Sequence, residues 1–117
     1  MNPKIVCLCG STKFKDYFVE NNLAETLAGN IVLTIGCDMK SDQEIFGQYS
    51  PDEMRDVKER LDILHYCKID LADEVLVLNV GGYIGDSTRR EILYAKAKGK
   101  NIRYLEAIGS IADNALL

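Results

Sequence analysis

Residues 79–91 read NVGGYIGDSTRRE and follow EVLVL (74–78), an apolar run of strand length. Two chemistries fit what comes after it. In the first, Gly81, Gly82 and Gly85 let a ligand approach the backbone, the start of the next helix attracts its anionic part, and Glu91 points a carboxylate at its reactive carbon. In the second, the glycines make a turn and Thr88-x-x-Glu91 closes a capping box, hydroxyl and carboxylate each taking a backbone N–H. Glu91 can serve both only if it leaves the cap. The residue types leave both readings open.

The elements that must position these groups alternate in period. KIVCLCG (4–10) is a continuous apolar run ending in glycine, as expected for a strand covered on both faces. The next segment carries Phe14, Tyr17, Phe18, Ala24 and Ala28 close to helical spacing and stops at Gly29. NIVLTIG (30–36) is a second strand, and residues 37–49 have no period and read as a loop. SPDEMRDVKERLDILHYCKID (50–70) opens with Ser50 as N-cap, Pro51 at the first helical position and Glu53 closing a capping box. Its expected inner stripe is Met54, Val57, Leu61 and Leu64, with His65 and Lys68 on or beside it. EVLVLN (74–79), a helix over 87–98 stopped by Gly99, and NIRYLE (101–106) complete the chain.

This order predicts one α/β domain over 1–117, a three-layer flavodoxin-like or Rossmann-like parallel sheet with helices on both faces. The strands are expected near 4–9, 30–35, 74–79 and 101–105. Ligands of such sheets bind beyond the carboxyl ends of the strands, where strand order reverses. Three unusual segments fall on that edge: GSTKF (10–14), GCDMKSD (36–42) and GGYIGDSTRRE (81–91). Gly10, Ser11, Thr12, Asp38, Gly82, Tyr83, Ser87 and Thr88 thereby become candidate binding residues beside Glu91. Gly10, Ser11, Tyr83, Ser87 and Glu91 are expected to line one pocket, because strands one and three should be neighbours.

Composition narrows the class. Apolar residues make up 47%, charged residues 27%, and net charge is -4 with no Lys/Arg run, so the electrostatic footprint of a nucleic-acid binder is missing. Neither a signal peptide nor a membrane-spanning stretch is visible, which makes a cytoplasmic protein without membrane contact the expectation. Cys7, Cys9, Cys37 and Cys67 show no CxxC spacing, and His65 is the only histidine, so core thiols rather than a metal centre are expected. No cofactor is implied. A sheet with four strands leaves edges and helix faces to cover, which favours a homo-oligomer built from dimers.

CGST (9–12), the aspartate-led strand ADEVLVLNV (72–80), and a glycine-containing turn running into an E-x-x-x-A helix (Glu91, Ala95) followed by Gly99-Lys100 together resemble two related families. These are the nucleoside 2-deoxyribosyltransferases and the 2'-deoxynucleoside 5'-phosphate N-hydrolases. GGYIGDSTRRE is also similar to the glycine turn of the cytokinin-activating phosphoribohydrolases. The resemblance runs over roughly residues 4–105 as scattered motifs. It implies cleavage of an N-glycosidic bond of a nucleoside or nucleotide, with a glutamate at the position of Glu91 attacking the anomeric carbon and no cofactor involved. Gly10 to Thr12 would lie against the sugar or its 5' end, and Lys13, where the N-hydrolases carry arginine, would contact a phosphate. Ser11 or Thr12 serves equally as an N-cap of the first helix.

The pattern also departs from those families. Their aspartate six residues before the glutamate is here Gly85, with Asp86 one place later, and their acid eight residues before the position of Asp73 is here His65. Asp86 either substitutes as the catalytic acid or starts the helix. His65 is either a hydrogen-bonded core residue or a catalytic one. A non-catalytic nucleotide-sensing module that keeps the pocket without the chemistry is the alternative to an enzyme.

Overall fold

The computed structural model describes residues 2–35 and 47–107. The 36–42 segment, with Asp38 and Cys37, lies outside them. Four strands, β1 (Ile5–Cys9), β2 (Ile31–Leu33), β3 (Glu74–Val77) and β4 (Asn101–Tyr104), form one parallel sheet in the order β2-β1-β3-β4. The chain is thus α/β with an all-parallel sheet, as the alternating periods require. β1 pairs with β3 in register Val6 to Glu74 through Cys9 to Val77, and with β2 on its other side, so strand order reverses between β1 and β3.

The helices are α1 (Lys15–Leu27), α2 (Pro51–Leu71) and α3 (Asp86–Ala97). Because strand side chains alternate, the sheet has two apolar faces. Val6, Leu8, Leu76 and Leu78 meet Phe18 of α1 on one face. Cys7, Cys9, Val75 and Val77 meet Ile69 of α2 and Ile92 and Ala95 of α3 on the other. Ser50 and Glu53 form the expected reciprocal cap at the start of α2.

Two expected helix faces are corrected. In α1, Ala24 and Ala28 are exposed, and Phe18 alone is buried. In α2, Leu61 and Leu64 are 37% and 55% exposed, whereas His65 and Ile69 are buried. Length explains the second case. The 21 residues of α2 extend roughly 30 Å, while the five-residue β1 covers roughly 17 Å. Since α2 ends where β3 begins, its last turns lie on the sheet and its first half projects past the carboxyl edge. Leu61 and Leu64 border the cleft instead of entering the core.

At the opposite edge, Arg103 of β4 donates through Nη2 to Glu25 of α1 at 2.6 Å and through Nε to the buried carboxylate of Glu74 on β3. Lys4 Nζ donates to Glu74 at 3.2 Å. The hydrogen bond from Arg103 chiefly holds the Glu25 carboxyl below its ordinary pKa of 4.5. A depressed carboxylate contributes stability above its unfolded pKa and loses it as pH falls through the folded value. Arg103→Met is therefore expected to cost about 1 kcal/mol at neutral pH. The gap to wild type should narrow in acid, which urea unfolding at about pH 7 and about pH 3.5 would check.

Candidate functional site

The turns that leave β1 and β3 build the site. Gly10 follows β1 where the chain passes closest to β3: a Cβ there would lie 3.2 Å from Leu78 Cβ and 3.3 Å from the Leu78 carbonyl oxygen. Ser11 then caps the 3-10 turn Thr12–Phe14 that leads into α1, its Oγ accepting from the Lys13 N–H at 3.3 Å. After β3, Gly81 and Gly82 take φ of 63° and 83°, a left-handed turn that favours glycine. Asn79, almost fully buried, ties that turn to the end of β4 by donating to the Glu106 carbonyl and accepting from the Glu106 N–H, both at 2.9 Å.

α3 begins at Asp86 with Gly85 as N-cap, three residues earlier than a Thr88 capping box would require. The capping-box reading of Thr88 and Glu91 is thereby corrected. Thr88 is buried inside the first turn, and Glu91 stands further into the helix with its carboxylate beside His65. Gly85 has no side chain to cap the helix, which leaves its first N–H groups directed toward the space in front.

That space is a cleft of about 450 Å³. Gly10, Ser11, Thr12, Tyr83, Asp86, Ser87, Thr88 and Glu91 line it, so the five residues expected to share a pocket do so. Gly82 shapes the turn without lining the cleft, and Asp38 lies outside the described residues. Lys13 is also off the cleft wall: its Nζ sits 3.6 Å from the centre of the Tyr83 ring, which in turn packs edge-on against Phe14. α2 supplies a wall that the strand-end argument missed, with Lys58, Leu61, Asp62, Leu64, His65 and Lys68. Its signal was available, because positions 58, 61, 62, 65 and 68 recur at helical spacing on a helix longer than the strands it covers. Among the described residues, Lys58 and Lys68, rather than Lys13, are the cations at the cleft. Lys68 Nζ also donates to the Thr34 carbonyl at 2.7 Å.

At the floor, His65 Nε2 lies 3.9 Å from Glu91 Oε2, 3.3 Å from Cys9 Sγ and 3.8 Å from Cys7 Sγ. Donors far apart in sequence thus meet. Strand alternation turns Cys7 and Cys9 to the same face, and α2 lays His65 over them. Of the remaining cysteines, Cys67 is exposed and Cys37 lies outside the described residues. Burial, with the charges of Cys7 and Asp62 adding to it, pushes the Glu91 carboxyl up to about 7 despite the opposing charge of His65. Burial pulls His65 down, yet the hydrogen bond with Cys7 and the charge of Glu91 leave it raised overall.

The two thiols act on each other in opposite directions. The hydrogen bond from Cys9 is the main influence bringing Cys7 down to about 6, with His65 adding to it, while Cys9 is raised chiefly by serving as that donor and by burial. His65 is therefore a buried residue that contacts both thiols and the Glu91 carboxylate at the cleft floor.

None of the described helices is long and apolar enough to cross a membrane. In comparison with known proteins, the chain matches no family model and no curated protein.

Proposed function

We propose that the protein cleaves the N-glycosidic bond of a nucleoside or nucleotide, passing the sugar to water or to another base through Glu91. One observation carries the reading. A half-buried glutamate, free of any helix cap, faces a cleft of about 450 Å³ at the point where strand order reverses. The cleft is large enough for a nucleoside. Its polar groups suit an oxygen-rich ligand: the hydroxyls of Ser11, Thr12 and Ser87 face it, and Lys58, Lys68 and the start of α3 draw an anionic group.

In the first step a Glu91 oxygen bonds to the anomeric carbon as the carbon–nitrogen bond breaks. The electron pair leaves with the base nitrogen, which takes a proton from Asp86 on the cleft wall. In the second step water or an acceptor base attacks the same carbon, gives its proton to the Asp86 carboxylate, and the Glu91 carboxylate departs. His65 holds Glu91 in position and offsets its charge.

The test is incubation with a panel of deoxynucleosides, ribonucleosides and their 5'-monophosphates, with and without a free acceptor base, followed by chromatography. Base release or exchange on at least one class is expected. Folded protein that releases no base from any member overturns the reading, and nucleotide binding without release would favour a sensing module.

A further inference from the structure

Glycosyl transfer through Glu91 makes no use of the two thiols at the cleft floor. Cys7 Sγ, Cys9 Sγ and His65 Nε2 all lie within 4.8 Å of one another, and all three residues are buried. A thiol–imidazole hydrogen bond needs one sulfur. Here a second sulfur comes within 3.8 Å of the same nitrogen that the first approaches to 3.3 Å.

Those spacings match a metal's coordination sphere. With zinc–sulfur bonds of about 2.3 Å and zinc–nitrogen bonds of about 2.05 Å, tetrahedral geometry places sulfur and nitrogen ligands about 3.6 Å apart. The two observed distances fall on either side of that value. Glu91 Oε2 stands 3.9 Å from the same nitrogen, against about 3.4 Å between tetrahedral nitrogen and oxygen ligands. A small carboxylate movement closes that gap.

We propose that Cys7, Cys9, His65 and Glu91 form a binding site for a soft divalent cation of the zinc class. Two thiolates and an imidazole select such an ion over magnesium or calcium, which prefer oxygen ligands. Binding makes two metal–sulfur bonds, one metal–nitrogen bond and one metal–oxygen bond, and releases to solvent the protons that the thiols hold. No electron is transferred. Where the glycosyl reading holds, an ion that takes Glu91 as its fourth ligand removes the nucleophile, so cation and sugar exclude each other at one carboxylate.

The test uses Co(II) as a spectroscopic stand-in, titrated into reduced protein under anaerobic conditions. The Cys37→Ser/Cys67→Ser variant leaves only the two buried thiols. The expected result is one-to-one binding with near-ultraviolet thiolate-to-cobalt bands and intense visible bands typical of tetrahedral coordination. Zinc should displace the cobalt, bleach the spectrum and raise the melting temperature. Cys9→Ala should lose the thiolate bands. If circular dichroism shows that variant unfolded, His65→Gln serves instead and should weaken binding at least tenfold.

Absence of thiolate bands in the reduced, folded wild-type protein overturns the proposal, as does a spectrum that vanishes in Cys37→Ser/Cys67→Ser. These spectra are independent of base release. A protein that binds cobalt without cleaving any nucleoside contradicts the glycosyl reading alone. One that cleaves nucleosides but shows no thiolate bands contradicts the metal site alone.

Discussion

Glu91→Gln is expected to lower base release on the best substrate by about 10³-fold or more while leaving the fold intact. The amide keeps the size of the side chain and its hydrogen-bonding reach toward His65, 3.9 Å away in the wild type. It cannot, however, form the covalent sugar ester, because an amide oxygen is a far poorer nucleophile than a carboxylate. Stability should change by no more than about 1 kcal/mol, since burial already disfavours the charged form of this carboxyl. The capping explanation for Glu91 predicts the opposite pattern, a stability loss with activity preserved. The structure has removed its basis by starting α3 at Asp86 behind Gly85. Steady-state base release and thermal melting, measured on the same preparation, separate the two. Near wild-type release by Glu91→Gln would exclude the glycosyl-enzyme route.

The second large effect concerns stability and tests which face of α2 holds the protein together. Ile69→Ala is expected to destabilise by about 2–5 kcal/mol, through lost transfer energy and the cavity left between α2 and the sheet. Ile69 is fully buried among Cys7, Cys9, Val75 and Val77. Against a typical total of about 5–15 kcal/mol, that is enough to unfold much of the protein at 37 °C if stability sits near the lower bound. Leu64→Ala, at a position 55% exposed, should cost within about 0.5 kcal/mol. Because Leu64 lines the cleft, its change should appear in KM. Urea midpoints of the two variants decide the matter. A Leu64→Ala loss as large as that of Ile69→Ala would restore the face suggested by periodicity.

The parallel sheet and the position of the cleft were determined by the sequence itself. VLVL (75–78) and IVCLC are apolar at every position, which suits strands covered on both faces, and helical segments between them leave parallel crossovers as the economical connection. Once β1 and β3 are parallel neighbours, the segments after them must share an edge. Hence Gly10, Ser11, Tyr83, Ser87 and Glu91 converge as local pattern implied.

Tertiary structure alone decided what stands opposite them. Helical periodicity can say which residues of α2 share a face but not how far the helix overruns the sheet. Leu61 and Leu64 therefore became cleft wall while the burial passed to His65 and Ile69. Likewise Thr88-x-x-Glu91 satisfies the pattern of a capping box, yet the turn after β3 lets the helix start three residues sooner and frees the carboxylate. The meeting of Cys7, Cys9, His65 and Glu91 is the extreme case. Its members lie up to 84 residues apart, from 7 to 91, and come together only because a strand's alternation, one helix's phase and another's starting point agree at a single place. Spacing along a chain carries the distances within an element, whereas distances between elements are set by how their faces pack.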